Sequence, residues 1–81
     1  MKPRRKPLGT RNAIGANVTK LRKLNKMSQS ELATNMQLLN VDINLTSLSK
    51  LEGQTRIVTD REVYVIAQIF NVRMEDLFKD L

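Results

Sequence analysis

Two four-residue stretches, Ser28-Gln29-Ser30-Glu31 and Thr59-Asp60-Arg61-Glu62, carry the same signature. In each, a hydroxyl residue stands three positions before a glutamate. The hydroxyl can accept the glutamate's backbone N–H while the glutamate carboxylate reaches back to the N–H of the hydroxyl residue. Such a box fixes where a helix begins, and the residues after each box have the matching period. After Ser28 come Leu32, Ala33 and Met36, and after Thr59 come Val63, Ile66, Ala67 and Phe70. Spacings of three and four place each set on one face of a helix.

Three further helices are read around these two. From Thr10 onward, Ile14, Val18 and Leu21 form one stripe, with Lys20 and Lys23 off it, Leu24 near its edge and Asn25-Lys26-Met27 leading out. A third helix is expected from Asn44 to Glu52, with Asn44 as N-cap, Leu48 and Leu51 inward and Gly53 near its stop. Asn71-Val72 breaks the fourth helix, and Met74 to Lys79 reads as a short fifth with Leu77 inward. No repeat and no alternating strand pattern is found. The expected class is all-α: five compact helices over residues 10–81, preceded by a flexible basic arm over residues 1–9, where Pro3, Pro7 and Gly9 oppose a helix.

Charge is unevenly placed. Residues 1–26 hold nine cations and no anion, whereas residues 27–81 hold five cations and eight anions, a sum of −3. A basic arm running into a basic first helix suggests a polyanion as partner, with a solubilising tail as the plainer reading. The chain has no Cys and no His, which removes disulfides, thiolate nucleophiles and the commonest metal ligands. No apolar run approaches the length of a bilayer span, and MKPRRKPLG lacks the apolar core of a secretory signal. A cytoplasmic, non-enzymatic protein without metal, cofactor or small-molecule ligand is expected.

Taken in order, IGANVTKLRKLNKMSQSELATNM, LTSLSKLEG and VYVIAQIFNVRMEDLF resemble the phage-repressor and Cro-type helix-turn-helix family along residues 14 to 78. The slots are filled by Arg22, Ser28-Gln29, Leu32-Ala33, Ser49 to Glu52, Ile66-Ala67 to Phe70, and Asp76-Leu77-Phe78. The resemblance implies a repressor-like transcriptional regulator that binds double-stranded DNA as a homodimer. Its half-sites would lie about one helical turn apart, roughly 34 Å, and the segment from Val72 to Leu81 is the expected dimer surface. It also implies that Arg22 and Glu52 pair, tying the first helix to the third. Independently of the family, each lies four residues beyond an inward position, about 40° around its helix from the core.

In such a domain the third helix enters the major groove. Leu45, Thr46, Ser49 and Lys50 lie opposite or beside Leu48 and Leu51, and Asn44 stands at the head of the helix. Thr46 and Ser49 offer short hydroxyls, Lys50 can reach guanine O6 and N7, and Leu45 can cover a thymine methyl. Ser47 has two readings, a phosphate contact or a bond to the helix's own backbone, and the Thr46 hydroxyl could likewise satisfy an open N–H. The resemblance implies that Gln29 contacts phosphate and braces the third helix, and that Arg56 meets the backbone of the other strand. Arg4, Arg5 and Lys6 are candidate arm contacts to phosphates or a minor groove.

The chain departs from the family pattern in three places. Between Ser28 and Glu52 it is longer by about five residues, within MQLLNVDIN, by comparison with the short turns usual in such motifs. This is read as a lengthened second helix or a longer turn, with Ile43 buried before the third helix and Leu39 extending the core. Gly53 follows Glu52 directly, one residue early, and Ile57 stands where the family has Pro. Two other functions fit the same fold: a protein-interaction module, and a non-specific nucleic-acid binder working through the arm.

Overall fold

Both capping boxes close as their spacing requires. The Ser28 hydroxyl accepts the Glu31 amide at 3.0 Å while the Glu31 carboxylate accepts the Ser28 amide at 3.0 Å. Those bonds to Ser28 hold the exposed Glu31 carboxyl below its ordinary pKa. At the second box the Thr59 hydroxyl accepts from Glu62 at 3.1 Å and the Glu62 carboxylate from Thr59 at 2.9 Å. A computed structural model describes residues 11–79. The basic arm expected over residues 1–9, with Arg4, Arg5 and Lys6, lies outside the described residues, as do the last two residues of the expected dimer surface.

Among the described residues four α-helices run in order: α1 Gly15–Leu24, α2 Gln29–Leu38, α3 Leu45–Glu52 and α4 Asp60–Phe70. The expected fifth helix is a 3-10 turn over Met74–Phe78 rather than an α-helix. Leu77 is nevertheless fully buried within it. α1 packs on α3, α4 and the 3-10 turn, and α2 packs on α3 and α4. The faces anticipated from periodicity meet in one core of Ile14, Val18, Leu32, Ala33, Met36, Leu48, Leu51, Val63, Ile66, Ala67, Phe70 and Leu77. Burying each large aliphatic of this set contributes about 1.5–3 kcal/mol. From α1, the Asn17 amide donates to the carbonyls of Leu77 at 2.7 Å and Lys79 at 3.0 Å, anchoring this end of the domain.

The connection between α2 and α3 distinguishes the two readings of MQLLNVDIN. α2 stops at Leu38, so the added residues form a longer turn and not a longer helix. Asn40 turns left-handed at φ 67°, and the Val41 amide then reaches back to the Met36 carbonyl at 3.0 Å. Beyond it, Val41 and Ile43 are buried while Asp42 and Asn44 are exposed, an alternation that pins an extended segment to the core. The Gln37 side-chain amide donates to the Ile43 carbonyl at 2.6 Å and fastens the segment to α2. Ile43 is inside, as expected. Leu39 is not: it stands on the cap of α2 at 40% exposure, because the left-handed turn at Asn40 carries the chain away before Leu39 can point inward.

Every α-helix ends the same way. Lys26, Asn40, Gln54 and Asn71 adopt positive φ at the cap or one residue past it, and the following amide bonds back five residues. No described glycine has positive φ. At α3 the left-handed residue is Gln54 at φ 62°, while Gly53 is right-handed at φ −78°, so Gly53 does not make the turn. Asn tolerates this conformation, but for a side chain such as Lys it costs about 1–2 kcal/mol. Lys26→Gly is therefore expected to raise stability by about 0.5–1 kcal/mol and Tm by several degrees. A thermal melt showing no rise would mean the turn is not strained.

Candidate nucleic-acid interface

α3 presents two distinct faces. At about 100° per residue, Leu48, Leu51 and Glu52 fall on one arc and are buried. Thr46, Ser49 and Lys50 fall on the opposite side, Leu45 lies beside the buried arc in the first turn, and all four are exposed. The only carboxylate of the helix is the buried one, so its outer face carries one cation, two hydroxyls and one aliphatic group with no anion among them. That is a surface able to approach phosphates and donate to base edges without like-charge repulsion.

The helix opens on Asn44, whose side-chain oxygen accepts the Ser47 amide at 2.8 Å. That bond uses the backbone amide of Ser47 and not its hydroxyl, and the cap is supplied by Asn44 and not by the hydroxyl of Thr46. Ser47 is half-buried, turned toward the flank of the exposed arc.

The far end of α3 is held by Glu52, whose side chain is only 5% exposed. Its carboxylate accepts from Arg22 Nε at 2.9 Å and Nη2 at 3.1 Å, from the Thr19 hydroxyl at 3.0 Å and from Gln29 Nε2 at 3.1 Å. Arg22 Nη1 donates in addition to the Met27 carbonyl at 2.9 Å. One acidic group thus joins α1, the start of α2 and the end of α3. Arg22 and Glu52 meet as expected; Thr19 carries no sequence signal that marks it as a partner. Gln29, expected on phosphate and bracing the third helix, is half-buried with one amide hydrogen committed to Glu52. Its bracing contact is therefore present in the free protein.

Arg56 is the residue whose surroundings differ most from expectation. Instead of projecting from the loop toward a phosphate, its guanidinium folds back on the protein. Nε donates to the Ser47 carbonyl at 2.9 Å, Nη1 to the Ile57 carbonyl at 2.7 Å and to Glu62 at 3.0 Å, and Nη2 to Glu62 at 2.7 Å. Four of its five N–H groups are therefore used. Burial alone would raise the Glu62 carboxyl, but the Arg56 guanidinium and the Thr59 amide outweigh it and hold the group below its ordinary pKa. Glu62 consequently serves two structures at once, the cap of α4 and the fork from Arg56.

The segment entering α1 adds contacts that periodicity could not reveal. The Asn12 side-chain amide donates to the carbonyls of Leu51 at 3.1 Å and Arg56 at 2.8 Å, while its oxygen accepts the Gly15 amide at 2.9 Å. Gln54 returns a bond to the Asn12 carbonyl at 3.1 Å. Gly15 lies directly against the end of α3, where a Cβ would sit 2.4 Å from the Leu51 carbonyl oxygen and 2.8 Å from that of Glu52. The only legible hint is Asn12 three residues ahead of a helix start, a capping spacing whose long-range partners leave no local trace.

Elsewhere the surface offers less chemistry. Met27, Asn35, Leu38, Leu39 and Ile69 line a shallow apolar groove at the end of α2. Among the described residues there is no cluster of acidic side chains able to hold a metal ion, and no helix is long and apolar enough to cross a membrane. A family model described as a Cro/C1-type HTH DNA-binding domain matches residues 17–80. No curated protein and no solved structure matches the chain.

Proposed function

The chain belongs to the Cro/C1-type helix-turn-helix DNA-binding family, and from that premise we propose that it is a sequence-specific transcriptional regulator acting as a repressor. In this reading α3 lies in the major groove of double-stranded DNA, and Leu45, Thr46, Ser49 and Lys50 meet base edges. The observation that carries it is the outer face of α3, exposed and free of carboxylates while both ends of the helix are tied to the rest of the domain. A helix so held can present side chains at fixed positions, which base reading requires. Asn44 and Ser47 shape the helix start, and Gln29 has its second side-chain amide hydrogen left for a phosphate. Arg4, Arg5 and Lys6 add sequence-independent attraction to the polyanion. A homodimer would place two such helices in successive major grooves of a palindromic site in the cytoplasm.

Selection of bound duplexes from a random pool tests the reading, since a palindromic consensus reports base reading and dimer symmetry together. On the selected duplex, Lys50→Ala and Thr46→Ala are each expected to cost about 1–3 kcal/mol of discrimination at one base position. If both substitutions leave sequence preference intact while removal of residues 1–7 abolishes binding, the protein is a non-specific binder working through its arm.

A further inference from the structure

Resting on the DNA-reading role of α3, we infer that Arg56 and Glu62 are positioning residues that set the roll of the base-reading face. Arg56 follows the helix in sequence, yet its Nε returns to the Ser47 carbonyl in the first turn of α3. That carbonyl lies between Thr46 and Lys50, so the bond holds the half of the helix that reaches base edges first. On its other side the guanidinium grips Glu62 with two parallel bonds of 3.0 and 2.7 Å. Planar fork-to-fork pairs of this kind constrain angle as well as distance. Glu62 is in turn immobilised by the Thr59 amide, at the first turn of α4. The chain of contacts therefore runs from rigid α4 through Glu62 and Arg56 to the leading turn of α3.

Without this fork, α3 would be fastened by charge only at its rear, where Glu52 meets Arg22. Leu48 and Leu51 bury the helix between the two fastenings and oppose a large roll that would expose them, but apolar contact is non-directional and tolerates a small one. The front fastening is what makes roll about the helix axis costly. A small roll carries the side chains at 46, 49 and 50 away from their base edges without weakening attraction to phosphates.

The rival role for Arg56 is a direct phosphate contact, and the two roles predict opposite results. Affinities of the parent, Arg56→Lys and Glu62→Gln would be measured on the selected duplex and a scrambled one across a salt series, with helicity followed by circular dichroism. Positioning predicts that both variants stay helical and lose preference for the selected duplex about tenfold, the worth of one misaligned base contact. The salt slope should match the parent's in both. A phosphate contact predicts that Arg56→Lys keeps parental affinity, because the charge is retained. It also predicts that Glu62→Gln binds both duplexes more tightly, because Arg56 is released; either result overturns the inference. Glu62→Gln keeps an acceptor oxygen for the Thr59 amide, so it decides the matter even if Arg56→Lys does not fold. A parent that cannot tell the duplexes apart defeats the DNA-reading role and this inference with it. A parent that discriminates, with variants that discriminate equally, defeats the inference alone.

Discussion

Glu52→Ala is expected to cost about 3–5 kcal/mol of folding stability. A chain of this length has a total of about 4–12 kcal/mol, so the loss is a large fraction of the whole and Tm should fall by well over ten degrees. The loss is large because the substitution strands what Glu52 satisfies. Arg22 would remain 12% exposed with no anion and Gln29 would lose its acceptor, while the Thr19 hydroxyl would keep only the Gly15 carbonyl at 3.2 Å. An exposed ion pair would cost only about 0–1 kcal/mol. Urea unfolding distinguishes the two regimes, and a loss of under about 1 kcal/mol would show that the carboxylate is effectively solvated. Replacing both partners, Arg22→Met with Glu52→Leu, should cost less than removing Glu52 alone, because no buried charge is then left unpaired.

Gly15→Ala should lower stability by about 2–3 kcal/mol, at the upper part of the range for overpacking. A new Cβ would meet the Leu51 carbonyl oxygen at 2.4 Å and the Glu52 carbonyl oxygen at 2.8 Å. Neither is the free end of a side chain, so the helices must part. Parting strains the Asn12 bonds to Leu51 and Arg56 and opens the cluster around Glu52. Helix propensity pulls the other way, since Ala is favoured over Gly by up to about 1 kcal/mol inside a helix. A shift of the denaturation midpoint decides which wins; an unchanged or raised midpoint would mean that α1 and α3 do not approach this closely.

These two sites also show where the chain is legible and where it is not. Arg22 and Glu52 match through a family pattern and through their angular distance from buried positions. The whole cluster is not legible, because Thr19 and Gln29 look like ordinary polar residues until three helices converge on one carboxylate. Gly15 reads as a weak helix former near an N-terminus, a place where Ala would be expected to help. Its role depends on a backbone carbonyl more than thirty residues away. Leu39 reads as inward because the apolar run around it continues, and nothing in MQLLNVDIN announces that Asn40 turns left-handed. Arg56 reads as outward for a similar reason: a charged residue in a loop has no local partner, and its partners are a helix carbonyl and a doubly used glutamate.

Sequence by itself determined the features whose bonds close within one helical turn. These are the starts of α2, α3 and α4, set by Ser28, Asn44 and Thr59, and the inner faces set by spacings of three and four. It also determined which side chains of α3 face outward, because Leu48 and Leu51 leave only one arc for them. Tertiary structure alone decided how that arc is aimed. The fork between Arg56 and Glu62, the cluster on Glu52 and the close approach at Gly15 join residues from separate elements. Their energies depend on burial and on angles between elements, which exist only once the helices have packed.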